Sequence, residues 1–209
     1  MYNDVTGIIL AGGKSSRMGT NKALLKLGEK SVIEKLADKM KELFSEVIII
    51  ANTPEEYNFL SIPIFKDIYE YKGPLAGIHS GLIHSSTKQN FIISCDIPLM
   101  TRKMIEYIVN YKSAHPITVC RADGFIQQLA GRYSKDVIPS AEKILRQDIS
   151  ETRNNEQKKR RCSVLRLIEE VGTEIIDAEG LSFYGKNIFM NMNNRQDYEA
   201  ITALMKVQL

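Results

Sequence analysis

Cysteine is scarce. Three residues in 209, Cys95, Cys120 and Cys162, are scattered and odd in number. They have neither metal-ligand spacing nor the pattern of a disulfide framework, so the expectation is free thiols in a reducing compartment. An excess of one charge is also missing. Lysine and arginine total 28 against 25 aspartate and glutamate, and the resulting +3 does not by itself argue for nucleic acid. No apolar run approaches the ~20 residues that cross a bilayer. The first residues lack the basic and apolar regions of a secretory leader. These absences point to a cytoplasmic chain with no membrane and no nucleic-acid partner. There is no internal repeat, and the length suits one domain with a substantial core.

What is present is concentrated near the start. Val5 to Leu10 is a largely apolar, β-branched run that reads as a buried strand. It runs into Ala11-Gly12-Gly13-Lys14-Ser15-Ser16-Arg17-Met18-Gly19-Thr20-Asn21-Lys22. Gly12 and Gly13 allow close backbone approach to a ligand. Successive amides in such a turn form a concave anion site. Arg17 offers a planar fork of donors and Lys22 a compact positive charge, both suited to phosphate oxygens. A mobile β–α loop with solvent-facing basic residues explains the same composition without a ligand. Two familiar phosphate loops fail on spacing. Walker A needs a glycine five residues before the glycine of Gly13-Lys14-Ser15, where Ile8 stands. The dinucleotide fingerprint needs one two residues after Gly12, where Lys14 stands.

Strand-like and helical segments then alternate. A helix capped by Ser31 extends to about Phe44, and Val47 to Ala51 is a second strand, ending at Asn52. Ile62 to Phe65 is a third, ending near Asp67. A helix follows Gly73-Pro74 to about Ile83, Phe91 to Cys95 is a strand closed by Asp96, Met104 to Tyr111 is helical, and Ile117 to Cys120 is again strand-like. The alternation argues for an α/β layered fold with a mainly parallel sheet. Ligands of such sheets bind beyond the carboxyl ends of the strands, where Gly12, Asn52, Asp67 and Asp96 all fall. The charged stretch from Asp148 to Arg161 breaks the rhythm and reads as a loop or an extended helix end. A further, amphipathic helix leads from Ser163-Val164 to near Gly172.

Asp96 is delivered by an apolar strand and followed by Pro98, which stops the strand. One carboxylate at a triphosphate site is a natural magnesium ligand. Read alone, Asp96 fits a turn or a helix cap better than a metal site, and Asp67 fits a solvated strand end. His79 and His84, five apart on one helix, do not share a face for a metal. They read as packed or solvated. Asn191 and Asn193 would share a face of a strand, and Asn194 suits the cap of a helix running to about Met205. The basic run 158–161 has no interleaved aromatics and reads as a solvated surface.

The opening string resembles the Leu-Ala-Gly-Gly-x-Ser-x-Arg-Met-Gly-x-x-Lys signature of the molybdenum cofactor guanylyltransferases. Asp96 lies in a segment similar to that family's Cys-Asp-x-Pro, and Gly73-Pro74-Leu75-Ala76-Gly77 agrees with a family segment letter for letter. The resemblance covers most of the chain and is strongest over residues 5–100. It implies a three-layer nucleotide-diphospho-sugar-transferase-like (Rossmann-like) fold across residues 1–209. The expected division is a GTP-binding half over 1–110 and a molybdopterin-binding half over 111–209. It implies that Leu10, Ala11, Gly12, Gly13, Lys22, Asp67 and Asp96 hold GTP. Arg17, Lys22 and Asp96 would be catalytic, and Asp96 would bind Mg2+. Arg161, Asn191 and Asn193 would face the second substrate, molybdopterin or its molybdenum form, and molybdoenzymes or their chaperones are candidate partners. Gln128 departs from the family's proline there, which bears on contacts to the pterin. The implied reaction transfers GMP from GTP to the acceptor phosphate and releases pyrophosphate. Leu-Ala-Gly-Gly, rather than Leu-Ala-Ala-Gly, favours GTP over CTP. Two other readings remain: a cytidylyltransferase or other nucleotidyltransferase on a related phosphorylated acceptor, and a non-catalytic GTP-binding partner.

Overall fold

Val5–Leu10 is buried at every position and forms β1. The computed structural model describes residues 1–11, 21–70, 72–152 and 163–207. A short 3-10 helix, Lys22–Leu24, leads to a hairpin of β2 (Lys26–Leu27) and β3 (Lys30–Ser31). Helix α1 (Val32–Leu43) starts at Ser31 in a reciprocal capping box. The Ser31 hydroxyl accepts from the Glu34 N–H, and the Glu34 carboxylate accepts from the Ser31 N–H at 2.6 Å. Next come β4 (Val47–Ile50), a 3-10 helix over Pro54–Leu60, and β5 (Ile64–Phe65). Helix α2 (Pro74–His84) begins on a proline whose fixed φ suits the first turn. It is followed by β6 (Gln89–Ser94) and α3 (Arg102–Asn110), the latter capped by Thr101.

β7 (Ile117–Ala122) and β8 (Phe125–Ser134) form a hairpin. Its two turn residues, Asp123 and Gly124, have φ of 52° and 77°. Both lie in the left-handed region that a two-residue type I′ turn requires. α4 (Ile138–Thr152), α5 (Val164–Val171), β9 (Thr173–Asp177) and α6 (Arg195–Val207) complete the described chain. None of the described helices is long and apolar enough to cross a membrane.

The sheet order is β5-β4-β1-β6-β8-β7-β9. β5, β4, β1 and β6 pair in parallel, and β7 pairs in parallel with β9. β8 alone runs against its neighbours, between β6 and β7. The sheet is therefore mainly parallel, as the alternation predicts, with one reversed strand that the sequence reading does not contain. Side chains alternate between two cores, as the two-residue strand period demands. Ile9, Ile49, Phe91 and Ile93 pack with α1, α3 and the segment around Phe189, Met192 and Ile201. Ile8, Ile48, Ile50 and Ile92 pack with α2, α4 and α5. The result is helix, sheet and helix in three layers.

The first crossover, β1 to β4 through α1, lies on one face of the sheet. The second, β5 to β6 through α2, lies on the other. The winding reverses at β1, and a crevice opens there at the carboxyl ends of β1 and β6.

Candidate active site

The carboxyl edge is held in register by the backbone just past each strand. The Ala11 N–H donates to the Ile50 carbonyl at 2.9 Å, the Ala51 N–H to Phe65 at 2.9 Å, and the Cys95 N–H to Leu10 at 3.0 Å. Four predicted positions therefore end at one rim: Ala11, Asn52, Asp67 and Asp96. The carbonyls of both Leu10 and Ala11 and the N–H of Ala11 are engaged inside the protein. Leu10 also packs its side chain with α2 in the second core. These two residues fix where the opening loop departs, rather than offering free amides of their own. Gly12, Gly13 and Arg17 lie outside the described residues, as does Arg161.

Lys22 sits in the 3-10 helix that re-enters at the rim. Burial pushes the Asp96 carboxyl above the usual carboxylate range, and the nearby Lys22 ammonium pulls it back down. Lys22 is thus near enough to Asp96 for its charge to be felt there. Among the described residues none donates a hydrogen bond to the Asp96 carboxylate; its own N–H binds the Ser94 hydroxyl at 3.3 Å. A half-buried carboxylate with one ammonium nearby and unused oxygens suits a cation. Among the described residues no cluster of three metal-ligating side chains exists.

Asp67 stands on the opposite side of β1. Asn52 grips it from both ends: its Nδ2 donates to Asp67 Oδ2 at 2.9 Å, and its Oδ1 accepts from the Asp67 N–H at 3.3 Å. Burial again raises the carboxyl, and the Asn52 hydrogen bond opposes it. The next residue is pinned to α2, where Ser80 Oγ accepts from the Ile68 N–H at 2.8 Å. A Cβ on Gly77 would lie 3.3 Å from Leu10 Cδ2 and 3.6 Å from Asp67 Oδ1. The small residues of Gly73-Pro74-Leu75-Ala76-Gly77 thus bring α2 close against Leu10 and Asp67.

Asn191 and Asn193 do not lie on a strand; residues 188–194 form an irregular connection. The expectation of a shared strand face is corrected accordingly. A local tie replaces it: the Met192 N–H donates to the Asp96 carbonyl at 2.8 Å. This places both exposed asparagines beside Asp96 by way of the backbone. Asn194 caps α6 as expected, its Oδ1 accepting from the Asp197 N–H at 3.0 Å. His79 is buried beside the Tyr69 ring, and His84 stacks on Phe65.

Gln127-Gln128-Leu129 falls where the β7–β8 register shifts, between Val119/Gly131 and Arg121/Ile126. Ala130 pairs with Ile93, so this irregular stretch runs on beside the strand end that carries Asp96.

Residues 7–161 match the MobA-like NTP transferase domain. The chain belongs to that family. Among curated relatives of this MobA-like chain, a probable molybdenum cofactor guanylyltransferase from Carboxydothermus hydrogenoformans is 33% identical over 98% of both chains. One of the same name from Aquifex aeolicus is 30% identical over 95% of this chain and 90% of its own. Among solved structures, molybdopterin-guanine dinucleotide biosynthesis protein A from Archaeoglobus fulgidus superposes with a TM-score of 0.79. It shares 19% identity over 97% of this chain and 99% of its own, and so supports the fold.

The sequence singles out Asn52 by its place after a strand, though not its grip on Asp67; Asn21 and Tyr57 carry no signal in the sequence reading, because their partners lie far away in sequence.

Proposed function

We propose that this chain transfers GMP from GTP to the terminal phosphate of molybdopterin, or of its molybdenum form. Pyrophosphate leaves and molybdopterin guanine dinucleotide results. The observation that carries this reading is the rim at the switch point, where the backbone past β1, β4 and β6 gathers Ala11, Asn52 and Asp96 and Lys22 is near enough to lower the Asp96 carboxyl, in a chain matched nearly end to end by relatives named for that activity. The acceptor phosphate is already an anion at neutral pH, so no general base is required. Its oxygen bonds to the α-phosphorus as the bond from that phosphorus to the pyrophosphate oxygen breaks. The protein's contribution is positioning and charge neutralisation.

In this reading Arg17 and Lys22 hold the triphosphate, and the loop at Gly12 and Gly13 supplies amides. Leu10 and Ala11 set the point from which that loop springs. Asp67, oriented by Asn52, holds the nucleoside end. Asp96 holds Mg2+, which when bound offsets charge on the α-phosphate and the leaving pyrophosphate. Residues 1–110 serve the nucleotide and residues 111–209 the pterin, with Arg161, Asn191 and Asn193 toward the acceptor. The reaction belongs to the cytoplasm, and the product passes to molybdoenzymes or their chaperones. The test supplies purified protein with Mg2+, molybdopterin and either GTP or CTP, and measures pyrophosphate and dinucleotide. Formation of guanine dinucleotide, faster than its cytosine counterpart, is expected. Faster use of CTP reverses the base preference, and pyrophosphate release with other acceptors but not with molybdopterin overturns the substrate.

A further inference from the structure

One buried hydroxyl joins the two ends of the opening loop. Tyr57 belongs to the 3-10 helix Pro54–Leu60, and its side chain is only 1% exposed. Its Oη donates to the Ala11 carbonyl at 2.9 Å, at the end of β1. The same Oη accepts from Asn21 Nδ2 at 2.8 Å, at the point where the chain re-enters before Lys22. Both amide hydrogens of Asn21 are committed. The second hydrogen of its Nδ2 goes to Glu56 Oε2 at 2.5 Å, and its Oδ1 accepts from the Ala23 N–H at 3.1 Å, capping the helix that carries Lys22. The directions are forced by chemistry. A carbonyl can only accept and an amide nitrogen can only donate, so the single phenolic proton must point to Ala11. Burial raises the Tyr57 hydroxyl to about 12, so it keeps that proton throughout the working range.

One backbone bond ties the end of β1 to the rim: the N–H of Cys95, the residue before Asp96, donates to the Leu10 carbonyl at 3.0 Å. Ala11 and Asn21, on either side of the opening loop, therefore meet at one hydroxyl from a different part of the chain.

We propose that the Tyr57 hydroxyl is a positioning group. Through Asn21 it fixes Lys22 relative to the end of β1, and so sets where the ammonium stands against Asp96. Tyr57 touches no reacting atom in this scheme; it acts through Lys22. The proposal rests on the reading that Lys22 holds a nucleoside triphosphate.

The test is a double-mutant cycle read by GTP binding in the presence of Mg2+. Tyr57→Phe removes the hydroxyl and keeps the buried ring, so the fold survives. Lys22→Ala removes the group that the clamp is meant to place. Coupled residues give non-additive effects and independent ones add. Tyr57→Phe in the unaltered protein is expected to weaken GTP binding about tenfold, and in the Lys22→Ala background by less than about twofold. Amide exchange at Ala23 in the nucleotide-free protein is expected to quicken by about tenfold in Tyr57→Phe, because the Asn21 cap loosens. Asn21→Ala, which cuts the same link from the other side, should reproduce both effects. Equal losses in the two backgrounds, or unchanged binding with unchanged exchange at Ala23, overturn the clamp. Failure of the unaltered protein to release pyrophosphate with molybdopterin overturns the proposed reaction instead, and leaves the binding cycle and the exchange measurement to decide on Tyr57.

Discussion

Asp96 is kept where ionisation is disfavoured, and only Lys22 among the described groups offsets this. The sign of the linkage follows. A carboxyl raised in the folded state binds its proton more tightly there than in the unfolded chain. Its effect on stability is most favourable below the unfolded value of about 3.9 and is lost as pH rises through the folded one. At neutral pH the ionised Asp96 therefore weakens the nucleotide-free protein. Asp96→Asn is expected to raise the melting temperature of that form while abolishing Mg2+-dependent turnover, a trade of stability for function. Calorimetry and a pyrophosphate assay on the same preparation check both halves, and a lowered melting temperature refutes the first. Lys22→Ala removes the compensating cation, so the acid limb of kcat/KM for GTP should move to higher pH. Its rate at neutral pH should fall about a hundredfold, in the range of a lost transition-state charge contact. A pH–rate profile with an unmoved acid limb would separate Lys22 from Asp96.

The reversed strand β8 has the least room to vary. A Cβ on Gly131 would lie 2.6 Å from Val119 Cγ1 and 2.7 Å from the Thr118 carbonyl oxygen. A backbone atom cannot swing aside as a side chain can, so Gly131→Ala forces β7 and β8 apart. A loss of roughly 1–3 kcal/mol of unfolding free energy is expected, measurable as a lower urea midpoint at unchanged slope. The same strand shows why some elements were legible in the sequence and others were not. β1, β4 and β6 are buried on both faces, so the apolar stretches Ile8 to Leu10, Val47 to Ile50 and Phe91 to Ile93 announce them. β8 carries Gln127, Gln128 and Gly131 through a register shift, which erases any simple alternation. α4 was readable in principle from Ala141, Ile144 and Leu145, all buried on one face, but Pro139 in its first turn and the charged stretch after it hid the pattern. Asp67 and Asp96 are legible as candidates because each ends a strand and lies in or beside a segment that resembles the family's. Tyr57 escaped because its meaning lies in a bond to Ala11 across 46 positions, and no local pattern encodes that.

At the scale of the molecule, the rim joins elements from both cores. β1 and β6 are shared by the two faces, α1 and the Met192 segment pack on one, and α2 packs on the other. A triphosphate held between Lys22 and Asp96, with its nucleoside reaching Asp67, would touch chain that can come together only in the folded state. Such a ligand must stabilise the whole fold by mass action. At 100 times its dissociation constant the gain is about 2.7 kcal/mol. For a chain of this length each 1 kcal/mol shifts the midpoint by about 2–4 °C, so GTP with Mg2+ should raise the melting temperature by about 5–10 °C. CTP at equal concentration should raise it less if the Leu10–Gly13 string selects guanine. Chelating the metal should remove most of the GTP shift, because the Asp96 carboxylate then meets the triphosphate with no divalent cation between like charges. A shift that survives chelation intact would place the triphosphate away from Asp96, and equal shifts with GTP and CTP would leave base selection to the catalytic step.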